Sequence, residues 1–421
     1  MTYHDPRQVV YDLRNHLAVH DRSLAFLLGA GTSAAVSIAS PASQGSPAAF
    51  RPLIPAVAQL TEMCKSEAVT LGAEYAAAWT ALESHCRESG KDPNIENILT
   101  GLRLRIDAIG NSEVLLGLDR DKLVRLESTI CREIAKIANP PESSIPATIP
   151  HDAFANWIRK ATRGLPLELF TTNYDVLIER SLERSQVPLF DGFIGSHEPF
   201  FSPDSLESER LLPPAAWVRL WKIHGSINWR IVGNGSDAHV IRSGVSGQGE
   251  MILPSYRKYD ETRKQPYTAL LDRLGKILNQ DHALLFTCGF SFRDAHINAL
   301  LFSIIDQRPK AHVFCLQYDL ASPEAPLVKW ARERKNLWVL APNAAVIAGE
   351  WGEWRLTQPV ENKNSSFMDL AFDSLALTPD TPGDAADEAL KGRFRLGDFK
   401  WFCDFLGTMT PNDAGATDER K

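Results

Sequence analysis

Four segments of this 421-residue chain place small and polar residues directly after a short apolar run. Glycine lets a backbone come close to a phosphate, and asparagine or histidine can hold or deprotonate a sugar hydroxyl or a water molecule. The pattern therefore suits chemistry on a nucleotide. The segments are Gly29-Ala30-Gly31-Thr32-Ser33 after Leu24–Leu28, Thr171-Thr172-Asn173-Tyr174-Asp175 after Leu167–Phe170, His224-Gly225-Ser226 after Val218–Ile223, and Cys288-Gly289-Phe290-Ser291 after Ala283–Thr287.

The segment at Gly29 matches the pattern G-x-G-x-x-A of dinucleotide-binding loops, which place a pyrophosphate at a helix N-terminus. A tight strand-to-helix turn that uses glycine only for steric reasons fits the pattern equally well. A dehydrogenase also needs an acidic residue about 20 positions further on, for the ribose hydroxyls. No Asp or Glu occurs between Asp21 and Glu62, which argues against hydride transfer.

The other three segments, taken singly, also have structural explanations. Thr172 or Asn173 is a suitable helix N-cap, with Asp175 in the positive first turn. A lone histidine after a strand, such as His224, is more often structural than catalytic. The fourth segment fits another capped turn, followed by a helix that carries Asp294, His296 and Asn298.

The order of the four segments is more specific than any one of them. Gly-Ala-Gly-Thr-Ser, Thr-Thr-Asn-Tyr-Asp, Ile-His-Gly-Ser and Gly-Phe-Ser follow one another between Leu24 and Asn298. This series resembles the sirtuin (Sir2) superfamily, in which a GAG-S loop, a [TQ]-x-N-x-D motif, an H-G pair and a G-x-S turn occur in that order. The resemblance implies an NAD-binding catalytic domain.

The resemblance also implies roles for individual residues. His224 would be the general base, and Asn173 would position the ribose or the attacking water. Cleavage of the nicotinamide N-glycosidic bond builds positive charge on the ribose, and histidine suits the base role because its usual pKa is near neutrality. The residues implied to bind NAD+ are Gly29, Ala30, Gly31, Thr32, Ser33, Thr172, Asp175, Gly225, Gly289, Ser291, Asp294 and His296.

One departure from the sirtuin pattern concerns zinc. Sirtuin deacylases usually carry two C-x-x-C pairs between the H-G and G-x-S motifs, whereas this chain has no cysteine between His224 and Cys288. We therefore expect no zinc and no other metal. The longer Gly-Phe-Ser-Phe-Arg-Asp-Ala-His-Ile-Asn segment and a helical insertion are similar to those of bacterial sirtuin-like NADases of antiviral defence, several of which work with a HerA-type ATPase or an Argonaute-like protein.

These features predict an NAD+ glycohydrolase that depletes NAD+ in antiphage defence and is gated by oligomerisation or a HerA-type ATPase. Two alternatives remain open. One is an NAD-dependent deacylase or ADP-ribosyltransferase, which would need an acyl-lysine or protein acceptor. The other is an assembly module that senses NAD+ or ADP-ribose without turnover.

The apolar runs, together with those at Ala311–Leu316 and Leu337–Leu340, predict an α/β fold: a Rossmann-like parallel sheet with helices on both faces. We assign residues 1–55 and 139–354 to the catalytic domain and 56–138 to an inserted helical subdomain. Gly233–Gly249 is predicted to be a loop or hairpin in a second, smaller insertion. Residues 355–421 are predicted to be a partly disordered C-terminal extension, linker-like over Thr378–Asp387.

The aromatic residues of that extension have two interpretations. Phe394, Phe399, Trp401, Phe402 and Phe405 either serve assembly or partner docking, or simply pack on the catalytic domain.

Bulk composition narrows the cellular setting. A formal net charge of −7 argues against direct nucleic-acid binding, which needs a basic face. The N-terminus has no apolar signal segment and no apolar run is long enough to span a membrane, and the six cysteines are scattered singly. We therefore expect a cytoplasmic protein that does not bind membranes. From the gating expected of a defence NADase, we also expect a homo-oligomer.

Overall fold

The computed structural model describes residues 2–39, 50–110, 112–233, 237–244, 265–357, 366–374 and 390–409. Within them a ten-stranded sheet carries helices on both faces. The predicted α/β fold, a Rossmann-like parallel sheet, is confirmed. The strands of this sheet, numbered with all others in chain order, are β1 (Tyr3–His4), β2 (Leu24–Leu28), β5 (Leu167–Thr171), β6 (Leu189–Phe190), β9 (Val218–Lys222), β12 (Leu284–Cys288), β13 (His312–Leu316), β14 (Leu337–Leu340), β15 (Ala344–Ile347) and β16 (Glu350–Trp354).

The helices of the described residues are also numbered in chain order. They are α1 (Pro6–Ala18), α2 (Ala30–Ala34), α3 (Val57–Val69), α4 (Ala73–Glu88), α5 (Ile95–Ala108), α6 (Arg120–Ala138), α7 (Pro150–Lys160), α8 (Leu177–Arg184), α9 (Asp204–Glu207), α10 (Tyr267–Leu278), α11 (Ala295–Gln307), α12 (Pro326–Glu333), α13 (Ser366–Ala371) and α14 (Phe399–Gly407), with a 3-10 turn at Glu142–Ser144. None of them is long and apolar enough to cross a membrane.

The six predicted strands are neighbours in the sheet, in the order β14-β13-β12-β2-β5-β9, and all five pairs are parallel. Every residue of β2, β5, β9 and β12 is buried, as expected for strands that are covered on both faces. The four strands that precede the polar segments therefore lie side by side, and their carboxyl ends share one edge of the sheet.

Two of these strands contain charged residues, which the structure pairs inside the core. The carboxylate of Glu168 in β5 accepts hydrogen bonds from Arg219 in β9 at 3.0 Å, and from Arg273 in α10. The indole of Trp221 donates to the same carboxylate. A buried charge without a partner would cost several kcal/mol, so this cluster is what allows β5 and β9 to carry charges in a buried sheet.

One edge of the sheet differs from the sequence-based prediction. Strands β15 and β16 continue the sheet beyond β14 in antiparallel fashion, and β1 adds to β16. A two-residue turn, Ala348-Gly349, joins β15 to β16, and both turn residues have positive φ angles of 52° and 88°. Such turns match the twist of the strands they connect. Alanine is an unusual residue there, which explains why the sequence does not reveal the hairpin.

The two faces of the sheet carry different helices. Residues of α1, α7, α8, α13 and α14 contribute to the core on one face, and those of α10, α11 and α12 contribute to the core on the other. In α14 the side chains of Phe399, Phe402 and Phe405 are buried, as is Phe394 before it. Trp401 is half-buried, with Arg395 and Lys400 over its ring.

The buried phenylalanines therefore pack on the ten-stranded sheet and its helices, which is the simpler of the two interpretations of the extension. The linker-like segment Thr378–Asp387 and the last residues of the chain lie outside the described residues.

The inserted helical subdomain consists of α3 to α6, which span Val57–Ala138 within the predicted range. Side chains of Asn94 and Asp119 cap α5 and α6 by accepting hydrogen bonds from backbone amides. The apolar core of the subdomain also includes Tyr174 and Ile227, which follow β5 and β9. The insertion is thus packed against the carboxyl ends of these two strands.

The second insertion is a small antiparallel sheet in the order β10-β11-β8-β7. Of the predicted glycine-rich segment, positions 234–236 and 245–249 lie outside the described residues. The strands of this antiparallel sheet are β7 (Phe193–Ile194), β8 (Phe200–Phe201), β10 (Trp229–Val232) and β11 (His239–Arg242). Two further sheets have two strands each: β3 (Ser37–Ala39) pairs with β4 (Phe50–Pro52), and β17 (Phe372–Asp373) pairs with β18 (Arg393–Phe394).

Candidate functional site

The four polar segments meet at the carboxyl edge of the sheet, where ligands of open α/β sheets bind. The segments at Gly29 and Gly289 contact each other through their backbones, and the amide of Gly31 donates to the carbonyl of Gly289 at 3.0 Å. The side chain of Asn173 reaches the carbonyl of Gly29 at 3.1 Å. Residues separated by up to 260 positions in the chain thus form one continuous surface.

The glycines at this junction are required because two backbones touch there. A Cβ atom on Gly29 would lie 2.4 Å from the carbonyl oxygen of Gly289, and one on Gly289 would lie 2.6 Å from the amide nitrogen of Thr32. Gly289 also has a φ of +62°, a left-handed conformation that favours glycine. The amides of Gly29 and Gly31 both donate to protein carbonyls. These glycines therefore shape the loop rather than offer free amides to a phosphate.

A hydrogen-bond network links the first two segments. The side-chain nitrogen of Asn173, Nδ2, lies 2.9–3.1 Å from three oxygens, which belong to Gly29, Thr32 and Ser33. The hydroxyl of Ser33 donates to the carboxylate of Asp175 at 2.6 Å. Within the described part of the chain, Oδ1 of Asn173 accepts no hydrogen bond. Asn173 therefore holds the loop with its side-chain nitrogen, and its side-chain oxygen can still accept a hydrogen bond.

Replacing Asn173 by aspartate tests this network, because the change keeps the shape and removes the donor. Carboxylate oxygens would then face the three acceptor oxygens, and we expect the free energy of unfolding to fall by ~1–3 kcal/mol. Urea unfolding measures the change. Asn343→Asp is the matched control, since Asn343 is exposed and its amide donates to one carbonyl, that of Ala321. Equal losses in both variants would contradict the network.

His224 lies between two carboxylates from different parts of the chain. It follows β9 by two residues, and its side chain is only 8% exposed. Its Nδ1 lies 3.2 Å from Oε1 of Glu96, in the first turn of α5, and its Nε2 lies 3.0 Å from Oδ2 of Asp294. Both ring nitrogens are therefore engaged with a carboxylate.

This arrangement makes the ring a cation at neutral pH. Burial alone would lower the pKa of His224, but the two carboxylates outweigh burial and raise the pKa to about 10. Burial would likewise raise the pKa values of Glu96 and Asp294, and the charged ring instead lowers both. The three shifts agree with one another and describe an imidazolium held between two carboxylates.

The two carboxylates are held differently. Asp294 is the N-cap of α11, and its other oxygen accepts hydrogen bonds from the amides of His296 and Ile297 at 2.8 and 3.0 Å. Glu96 belongs to the insertion, accepts a hydrogen bond from the hydroxyl of Tyr174 at 3.4 Å, and is 37% exposed against 15% for Asp294. The position of Asp294 is thus fixed within the sheet domain, whereas the position of Glu96 relative to His224 depends on how the insertion packs against that domain.

The sequence singled out neither Glu96 nor Tyr174 as a site residue. Glu96 looks like an ordinary acidic residue in a first helical turn, between apolar residues of the insertion core. Glu96 lies near the start of α5, close to the segment Gly289–Asp294. This proximity is visible only when the insertion is packed against the sheet domain. An ion pair of 2.9 Å between Asp92 and Arg293 marks the same contact.

The remaining predicted residues lie in the same four segments. Gly225 has a φ of +87° and directly follows His224, and the amide of Thr172 donates to the carbonyl of Leu28. Ser291 and His296 are exposed. Over the described ranges, no group of three or more His, Cys, Asp or Glu side chains has an arrangement that could hold a metal ion.

The family model of the SIR2-like domain matches residues 167–339 of the chain. The matched segment contains Asn173, His224 and Gly289 and begins after the loop at Gly29. No curated protein matches the chain. SIR2-like domains bind NAD+, so this match supports membership of the Sir2 superfamily and an NAD-related enzymatic function in general.

Proposed function

We propose that the chain is an NAD+ glycohydrolase, which converts NAD+ and water to nicotinamide, ADP-ribose and a proton. The observation that carries the proposal is the meeting of Asn173 and His224 with the two glycine segments at the carboxyl edge of the sheet. The residues there fit NAD+. Asp175 and Asp294 supply two carboxylates against one imidazolium, which suits a cationic nicotinamide ring and a ribose that becomes positive in the transition state.

In the proposed reaction the bond between the nicotinamide nitrogen and C1′ of the ribose breaks, and its electron pair leaves with nicotinamide. The oxygen of water bonds to C1′. Asn173 orients the ribose or the water through Oδ1, and His224 accepts the proton. Water is the proposed acceptor because the segment between His224 and Cys288 lacks the cysteines that sirtuin deacylases use to hold zinc.

A histidine that accepts a proton needs a free ring nitrogen. In the arrangement described above His224 already carries both protons, so it cannot act as a base until one of them leaves. We therefore interpret this arrangement as a resting form. Control by oligomerisation or by a HerA-type ATPase, in a defence that depletes NAD+ during phage infection, is consistent with an NADase that is inactive by default.

The test is to incubate the purified chain with NAD+, with and without a HerA-type ATPase, and to measure nicotinamide and ADP-ribose by chromatography. No peptide or protein acceptor is added. At pH values below the pKa of His224, the neutral fraction of its ring increases about tenfold for each unit by which the pH is raised. We therefore expect the rate to rise steeply from pH 7 to pH 9. A blank without protein at each pH corrects for spontaneous cleavage.

The alternatives give different results. Release of nicotinamide only after an acyl-lysine peptide or protein acceptor is added would identify a deacylase or transferase. Binding of NAD+ with a change of assembly but no nicotinamide, at any pH and with the ATPase present, would identify a sensing module. Either result would overturn the proposal.

A further inference from the structure

We propose that Glu96, supplied by the inserted helical subdomain, is a positioning residue that holds the ring of His224 with both nitrogens engaged and so keeps the site at rest. The inference deepens the proposed function, on which it rests, by assigning the control of His224 to a named contact. Its first basis is geometric: Glu96 is the only one of the two carboxylates on His224 that the insertion carries.

The charged and titratable groups around His224 are few within the described residues. Glu96 faces it from α5, Asp294 faces it from the N-cap of α11, and the hydroxyl of Tyr174 lies behind Glu96. Lys222, two residues earlier, points elsewhere: its ammonium donates to the carbonyl of Asp175 and to Glu179. The charge of the ring therefore depends on Glu96 and Asp294.

Of these two contacts, the one with Glu96 can be lost without unfolding a sheet element. Asp294 is held by two amides of its own helix, and removing it from the ring would disturb the N-cap. Glu96 lies in the first turn of α5, and its side chain is 37% exposed against 15% for Asp294. Rotation of that side chain towards solvent would release Nδ1 of His224 while α5 and its apolar packing stay in place.

The experiment follows the protonation of His224 directly. The ring signals of 15N-histidine-labelled protein are recorded by NMR from pH 5 to pH 10.5, and His224 is assigned by its loss in His224→Ala. In the unaltered chain we expect the ring to stay protonated until pH 9 or above. Glu96→Gln keeps an acceptor oxygen for Nδ1 and removes the charge, and we expect the titration midpoint to fall by ~1–3 pH units.

Two further variants make this result specific. Asp92→Asn removes the ion pair with Arg293 and does not alter a group that contacts His224. The titration midpoint of His224 in this variant is expected to match that of the unaltered chain. Glu96→Ala is expected to lower the midpoint as Glu96→Gln does, which guards against a fold defect in one variant. A midpoint near 6.5 in the unaltered chain, or equal shifts in Asp92→Asn and Glu96→Gln, would overturn the assignment.

Nicotinamide release provides the second measurement. If neutral His224 is the base, Glu96→Gln moves the rising limb of the pH–rate profile towards lower pH by the same number of pH units as the titration midpoint. The rate at pH 7 then rises by about tenfold or more. The two proposals fail separately. A chain without NADase activity that still shows the midpoint shift retains the role of Glu96 and loses the proposed function, whereas activity without a midpoint shift has the opposite meaning.

Discussion

Replacement of His224 by alanine is expected to lower the rate of nicotinamide release by ~10²–10⁴-fold, the range that general acid–base groups contribute. The loss follows from the proposed role of the ring as the group that accepts a proton. It should affect kcat more than KM, because the ring acts in the transition state rather than in ground-state binding. Initial rates of nicotinamide formation at pH 9, where the unaltered chain is expected to be more active than at pH 7, measure the effect.

Removal of the imidazolium also leaves Glu96 and Asp294 without the cation between them, so a structural effect must be separated from a catalytic one. His224→Gln keeps an amide donor at the site and is expected to lose as much activity as His224→Ala, while its thermal unfolding lies closer to that of the unaltered chain. His239→Ala changes an exposed histidine of the small sheet and should leave the rate unchanged. Retained activity in both His224 variants would show that the ring is not the base.

Much of the site follows from the sequence because of how parallel sheets are built. Strands buried on both faces must be apolar, so β2, β5, β9 and β12 are visible as apolar runs with polar residues after them. The carboxyl ends of parallel neighbours lie on one edge. The sequence therefore predicts that Asn173, His224 and Gly289 lie close together.

The parts that the sequence did not reveal depend on contacts between distant elements. Glu96 and His224 are 128 positions apart, and nothing in the pattern around Glu96 distinguishes it from a helix-capping charge. The same holds for α14, whose phenylalanines fit docking or core packing until the helix is seen against α7. The protonation of His224 is a further example. The sequence suggests a pKa near neutrality, and the two carboxylates raise that pKa.

Substitution of Gly289, at the junction of the two glycine segments, is expected to cause a large loss of stability. Gly289→Ala would place a Cβ 2.6 Å from the amide nitrogen of Thr32 and 2.7 Å from the Cα of Gly31, both backbone atoms that cannot rotate away. It would also force alanine into a left-handed conformation at φ +62°. Together, the two effects are expected to lower the free energy of unfolding by ~2–5 kcal/mol, which urea unfolding measures.

Two control glycines separate the contributions. Gly117 also has a positive φ but has open space around it, so Gly117→Ala should lose only the conformational part, ~1–2 kcal/mol. Gly407 has open space and no positive φ, so Gly407→Ala should leave stability unchanged or raise it, since alanine favours a helix. If Gly289→Ala cost no more than Gly117→Ala, the two backbones would not be in contact. Because the same loops place Asn173 over Gly29, a true contact means that Gly289→Ala also weakens NAD+ binding in the protein that remains folded.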